Sequence, residues 1–122
     1  MTFSLVGRSA DGSALGVAVA SKFLAAGAYV PAAAVGAGAV ATQAYGNLAL
    51  RTDGLAILAA GASANRLVDE FFSDDPKREE RQAGVVDARG GAATFTGSRV
   101  QPWAGGLTGS GPGGAFAAQG TC

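Results

Sequence analysis

From Thr2 to Ser9, Phe3, Leu5 and Gly7 alternate with Ser4, Val6 and Arg8. That period of two predicts a β-strand. Asp11-Gly12 follows, a dipeptide suited to the positive-φ positions of a tight hairpin turn. Ala14 to Ser21 then sets Leu15, Val17 and Val19 against Gly16, Ala18 and Ala20. This predicts a second strand with one small face, on which another layer can lie closely. With Asp11 and Gly12 as a two-residue loop, Ala10 opposes Ser13, and counting back, Thr2 opposes Ser21. Opposed residues share a face, with Cβ atoms about 5 Å apart. Ser21 is therefore the expected neighbour of Thr2. Lys22 lies one step beyond and reaches Thr2 only if the strand bends. A one-residue slip would undo the pairing.

Further along, Phe23 to Val30 reads as a loop into a short strand, and Val35 to Gln43 as a glycine-rich third strand. Ala44 to Asn47 is a predicted turn. Leu48 to Ala60 carries Leu48, Leu55, Leu58 and Ala59 at helical spacing, weakened by Gly54 and ended by Gly61. Ser63 is a predicted N-cap for a second helix whose apolar face is Leu67, Val68, Phe71 and Phe72. Asp74-Asp75-Pro76 breaks it. Lys77 to Arg81 is a charge run, read as a solvated connector in preference to a docking surface. Ala83–Ala88 and Ala92–Thr96 form a predicted hairpin around Arg89-Gly90-Gly91. Val100–Trp103 is a short edge piece, Gly105–Gly114 a glycine-rich loop, and Ala115–Gly120 the start of a last strand.

Composition narrows the chemistry. The chain has 122 residues, the size of one domain, with 9 basic and 9 acidic side chains and no basic stripe. Nucleic acid is not an expected partner. Hydrophobic residues make up 48%, many of them alanine, beside 20 glycines, so backbones are expected to pack closely. There is no histidine, which removes Ser-His-Asp and Cys-His nucleophiles and every histidine-based zinc pattern. The single cysteine, Cys122, allows no internal disulfide, and a reducing, cytoplasmic setting is expected. The N-terminus lacks the basic start of a signal peptide. Phe23 to Leu50 is uncharged and long enough to span a bilayer, but it is mostly Ala and Gly around Pro31. A buried, strand-rich segment is predicted there, with no membrane partner.

Candidate motifs divide the same way. Gly36-x-Gly38-x-x-Ala41 fits a loose dinucleotide fingerprint, but Ala-Thr-Gln-Ala-Tyr-Gly after it is a poor helix start, so a packed strand is preferred. Gly105–Gly114 lacks the Gly-Lys-Ser/Thr ending of a P-loop. Asp53, Asp69, Glu70, Asp74, Asp75 and Asp87 show no metal-ligand spacing, and neither metal nor cofactor is expected. Thr2 is the main candidate. If Met1 is removed, a free α-amine sits on the same residue as a hydroxyl. Such an amine has a pKa of about 7.7–8.0, so part of it is neutral and can act as the base the hydroxyl needs. The plain alternative is a protein that begins Met-Thr and opens with a strand.

The segments MTFSLVGRS, LGVAVASKFLAAGAYVP, GAGAVATQAYGN, GLAILAAGASA, DDPKREERQAGVVDARGGAATFTG, PWAG and FAAQG occur in that order along nearly the whole chain. They resemble domain-of-unknown-function family 1028, which is grouped with the N-terminal nucleophile (Ntn) hydrolases. The resemblance implies an α+β fold, a four-layer αββα sandwich of two antiparallel sheets with helices outside. It also implies hydrolysis of an amide or peptide-like bond, in a small molecule or peptide, with Thr2 as nucleophile. Lys22 is similar in placement to a lysine that lowers the amine's pKa. Thr42 and Gln43 fall where backbone N–H groups commonly form an oxyanion hole. Ser21 has no family role, and its candidacy rests on the hairpin register. Family members continue past the point matching Cys122. A single domain, 1–122, incomplete at its C-terminal end is therefore expected, lacking part of one sheet and its covering helices. A bare sheet edge pairs readily with another chain, so self-association is expected too. The competing readings are a non-catalytic binding or assembly protein with the same fold, and an inactive fragment.

Overall fold

A computed structural model describes residues 1–122. The opening alternation forms β1 (Thr2–Ser9) and β2 (Leu15–Ser21), paired antiparallel with Thr2 opposite Ser21. The expected register holds because the turn is locked locally. Asp11 Oδ1 accepts from Ser13 N–H at 3.0 Å, from the Ser13 hydroxyl at 2.8 Å and from the Ser9 hydroxyl at 2.8 Å. Gly12 supplies a φ of +74°.

The next segment departs from expectation. A single helical turn, α1 (Ala26–Tyr29), leads into β3 (Pro31–Ala34), and the strand expected from Val35 starts only at Gly38 as β4 (Gly38–Ala44). Val35 stands at the exposed tip of the β3–β4 hairpin. Gly36 and Gly38 take φ values of +77° and +145°, which turn the chain where the small, apolar run suggested an extended path.

The first predicted helix begins as a π-helical turn, Leu50–Gly54, and continues as α2 (Leu55–Ala59). α3 (Ala64–Ser73) starts where its cap was expected, with Ser63 Oγ accepting from Arg66 N–H at 3.2 Å. Arg78–Glu80 is one exposed 3-10 turn, as a solvated connector should be, but Arg81 opens β5 (Arg81–Asp87) and is buried. β5 pairs with β6 (Ala92–Thr96). Asp87 holds their turn and the start of α3, accepting from the N–H groups of Arg89, Gly91 and Ala64 at 2.9 Å each. Burial opposes ionisation of Asp87, but these donors outweigh it and set its pKa below the ordinary value.

Gly105–Gly114 is a strand, not a loop. β7 (Ala104–Gly111) and β8 (Gly114–Thr121) form a hairpin around Pro112-Gly113. Two of the four glycines of β7 are packing positions: a Cβ at Gly106 would come within 2.8 Å of the Thr94 side chain, and one at Gly109 would strike the Phe116 ring. The expected edge piece, Val100–Trp103, is a bend whose last residue exchanges backbone hydrogen bonds of 2.9 and 3.4 Å with Cys122.

The strands make two four-stranded antiparallel sheets, ordered β2-β1-β8-β7 and β3-β4-β5-β6. They stack face to face, β1 against β4 and β5, and β8 against β5 and β6. This is an α+β sandwich. Small side chains fill the gap: Val6, Ala39, Ala41, Val86 and Ala117 form the inter-sheet cluster. The other face of β4, β5 and β6 carries Val40, Ala83, Val85 and Ala93 and packs under Leu50, Leu58, Leu67 and Phe72 of the helices. Phe72 stacks on Phe95 with ring centroids 4.5 Å apart, a contact worth about 1 kcal/mol beyond its burial. Within residues 1–122 the layers are therefore three: helices, sheet, sheet. The fourth, helical layer expected on the outer face of β2-β1-β8-β7 is not among them, and Phe3, Leu5, Leu107 and Phe116 are exposed there, with Trp103 6.2 Å from the Phe3 ring. No helix is long and apolar enough to cross a membrane.

The Asp11 turn makes the opening hairpin acid-sensitive. Its three donors hold the Asp11 carboxyl at about 2, below the ordinary 3.8. A depressed pKa contributes stability that is fully present above the ordinary value and is lost as pH falls through the depressed one. The Ser13 amide should therefore exchange faster as pH is lowered from about 4 towards 2, after correction for intrinsic exchange. Asp11→Asn should remove that acid step, and persistence of the step in this variant contradicts the assignment.

Candidate active site

The Thr2 end of the sandwich brings three hydroxyl residues into one row. β1 is bonded on both sides, so Thr2 faces Ser21 of β2 across one ladder and Thr121 of β8 across the other. Thr2 Oγ1 lies 2.8 Å from Ser21 Oγ, and Thr2 N–H donates to Thr121 Oγ1 at 3.2 Å. Ser21 Oγ also accepts from Phe23 N–H at 3.0 Å and donates to the Met1 carbonyl at 3.2 Å. Its single proton is thus used, which leaves Thr2 Oγ1–H as the donor between the two hydroxyls.

Below this row the inter-sheet space turns polar. Gln43 Nε2 donates to the Thr2 carbonyl at 3.3 Å and to Gln82 Oε1 at 2.7 Å, while its Oε1 accepts from the Ser4 hydroxyl at 2.5 Å. Gln119 Nε2 in turn donates to Ser4 Oγ at 2.5 Å. Gln82 Nε2 reaches the Gly120 carbonyl at 2.9 Å and Thr96 Oγ1 at 3.0 Å. Gly84 leaves room for Gln119, since a Cβ there would strike its amide. The network crosses both sheets and fixes the backbone of Thr2 from below.

An open cleft of about 540 Å³ lies above, with Thr2, Ser21, Lys22, Thr42, Gln43 and Thr121 in its lining. Every residue singled out from the sequence is thus present at this cleft, but two of them by other atoms than expected. Thr42 N–H is committed to the Val30 carbonyl at 3.0 Å, and Thr42 Oγ1 accepts from Asn47 N–H at 3.0 Å. Gln43 acts through its side-chain amide. Gly46 N–H, also in the lining, has no partner within the protein. Lys22 is exposed and in no ion pair; its backbone N–H donates to the Met1 carbonyl at 3.4 Å.

The chain is strained on both sides of the cleft. Ala25, before α1, and Ala44, ending β4, take φ values of +59° and +61°. A left-handed alanine costs roughly 1–2 kcal/mol. Arg81 holds the second strained turn in place. Its guanidinium donates to the Tyr45 and Gly46 carbonyls at 2.5 and 3.2 Å and grips Asp75 at 3.0 and 3.1 Å. Asn47 Nδ2 also reaches Asp75, at 3.0 Å. Burial alone would raise the Asp75 pKa, but Arg81, Lys77 N–H and Asn47 bring it below the ordinary value. Thr121, Gly46 and Arg81 were not found from the sequence. Thr121 ends a strand whose partner is at the other end of the chain, and Arg81 looked like one of a run of exposed charges. No group of three or more His, Cys, Asp or Glu residues stands close enough to hold a metal ion.

A family model described as "Family of unknown function (DUF1028)" matches residues 2–121. Among solved structures, the chain is similar to protein SPO2555 from Silicibacter pomeroyi, itself assigned to the DUF1028 family model. The two share 30% identity with a TM-score of 0.87, over 97% of this chain and 51% of that one. The chain thus spans about half the length of that protein. No curated protein matches.

Arg81 and Asp75 are a buried pair, with side chains 10% and 4% exposed. Arg81→Met leaves a buried carboxylate without its main partner and should lower the unfolding free energy by about 3 kcal/mol. Arg81→Met with Asp75→Leu should recover part of that loss, since the Tyr45 and Gly46 carbonyls still lose their donor. Urea unfolding of the three proteins measures both, and an Arg81→Met protein as stable as wild type contradicts the assigned role.

Proposed function

On the premise that the chain belongs to the DUF1028 family, we propose that it is an Ntn-type amidohydrolase whose nucleophile is Thr2, exposed by removal of Met1. One observation carries the reading: the Thr2 hydroxyl and the Thr2 nitrogen are each held by a neighbouring hydroxyl, Ser21 and Thr121, at the edge of an open cleft. A residue that is to act as nucleophile and base must have both atoms held in place, and these two contacts support that reading.

In this mechanism the neutral α-amine takes the Thr2 Oγ1 proton, directly or through a water. Oγ1 bonds to the amide carbon and the carbonyl electrons move onto oxygen. Collapse breaks the carbon–nitrogen bond, and the leaving amine takes the proton from the α-ammonium. Water then attacks the acyl ester, with the amine again as base, releasing a carboxylic acid and restoring Thr2. Lys22 supplies a positive charge that favours the neutral amine. Thr121 orients the amine. On the Thr42–Gln43 side of the cleft, Thr42 N–H is bonded to Val30 and is not free to meet an oxyanion. Amides of small molecules or peptides, with no cofactor, in the cytoplasm, belong to the same reading.

A second reading, a binding or assembly protein without the chemistry, is favoured by the apolar outer face of β2-β1-β8-β7. Intact mass and labelling separate the two. The hydrolase reading expects a protein lacking Met1 that takes up one equivalent of a threonine-directed electrophile, and no adduct on Thr2→Ala. Full retention of Met1, or equal labelling of Thr2→Ala, overturns it.

A further inference from the structure

The last rung of the β1–β2 ladder is made by Met1. Its carbonyl oxygen accepts from Lys22 N–H at 3.4 Å and from the Ser21 hydroxyl at 3.2 Å. Thr2 Oγ1 is 2.8 Å from the same Ser21 oxygen. Loss of Met1 removes this rung and leaves β1 and β2 unchanged. Lys22 N–H then becomes an unpaired edge donor, and the Ser21 proton keeps only Thr2 Oγ1, 2.8 Å away, as an acceptor. The amide needs a new partner, and the hydroxyl is free to turn to one. They were aimed at one carbonyl oxygen, in the cleft and beside the hydroxyl that would attack.

We propose that the acyl carbonyl oxygen of the substrate takes the place vacated by the Met1 carbonyl, held by Lys22 N–H and Ser21 O–H, and that the acyl group is linear and apolar, like the methionine that stood there. The proposal rests on the Thr2 reading and gives that site a substrate class. It puts the carbonyl oxygen on the β2 side of the cleft, where two donors already hold one. The lining agrees with the acyl group. Phe23, Ala26, Tyr29, Val30 and Leu48 supply apolar wall, and Lys22 is the single charged side chain. The Met1 thioether lies 3.9 Å from Cys122 Sγ, next to Thr121 of the lining. The substrate in effect replaces the missing strand residue, so part of its binding is main-chain pairing. Retained Met1 is a tethered occupant of the same place.

The test uses hexanamide, a neutral linear amide, and succinamate, its charged counterpart, titrated into ¹⁵N-labelled protein. Met1-retaining protein is compared with the same protein treated with methionine aminopeptidase. In the Met1-free form the Lys22 amide proton should move downfield and saturate with hexanamide. Affinity should be about tenfold weaker in the Met1-retaining form and in Met1-free Ser21→Ala, and Ser21→Thr should restore it. At a salt concentration that screens Lys22, succinamate should bind more weakly than hexanamide. A Lys22 resonance that does not move in the Met1-free protein, or moves equally in both forms, overturns the proposal, as does preferred binding of succinamate. Met1-free Thr2→Ala keeps both donors, so hexanamide binding there isolates the carbonyl site from the nucleophile. If electrophile labelling fails while this binding persists, the hydrolase reading falls and the carbonyl site stands.

Discussion

β1 is bonded on both sides, and the registers of those two ladders set every feature of the cleft. Thr2 has no freedom to choose its neighbours. Once Thr2 faces Ser21, the alternation puts Ser4 and Val6 on the inner face with it and Phe3 and Leu5 on the outer face. Once Thr2 also faces Thr121, Gln119 is set opposite Ser4 and Ala117 opposite Val6. A shift of one residue in either ladder would send Thr2 to the outer face and bring Phe3 inside. The site is therefore as well defined as the sheet, and more so than one built on loops.

The inner face is divided along its length. Away from the cleft the two sheets meet through Val6, Ala39, Ala41, Val86 and Ala117, small residues that allow close approach without voids. Towards the cleft the same layer becomes Ser4, Gln43, Gln82 and Gln119. Burying three amides costs several kcal/mol unless they are bonded, and here nearly every donor and acceptor is used, Gln119 Oε1 being the buried exception. A purely apolar layer would have been simpler to pack. The amides do something it cannot: Gln43 fixes the Thr2 carbonyl, and Gln82 fixes the Gly120 carbonyl next to Thr121. They position the two central, hydroxyl-bearing strands β1 and β8 from the opposite sheet.

What the sequence made legible was local. The Thr2–Ser21 pairing followed from one tight turn, and α3 from a cap and a run of apolar residues at helical spacing. Thr121 was hidden because its bond to Thr2 joins residues 119 apart in sequence. β7 was hidden because its glycines signal a loop until the Thr94 and Phe116 side chains they make room for are in place. The β3–β4 turn was hidden inside an alanine-rich run that two positive-φ glycines fold back. Thr42 and Gln43 line the cleft, but sequence position does not say which atom of a residue is free. Thr42 N–H is bonded to Val30, and Gln43 acts through its amide. The family resemblance, by contrast, was carried by motifs along the whole chain, and the DUF1028 match over residues 2–121 agrees with it.

β1 also couples two surfaces that look unrelated. Its inner face bears Thr2, and its outer face bears Phe3 and Leu5 in a sheet surface made of apolar and glycine positions, with Leu107 and Phe116 on the neighbouring strands. The opposite sheet buries its corresponding face under α2 and α3. An uncovered apolar face favours contact, because burying it gains roughly 25 cal/mol per Å². Phe3 follows Thr2 directly and lies close over Gly120, where a Cβ would strike its ring. Any group that packs on Phe3 therefore bears on the backbone that presents Thr2 and on the strand that presents Thr121. The hydroxyl row is held from inside by the glutamine amides. From outside, Phe3 is open to contact, so the binding reading and the hydrolase reading meet in a single strand.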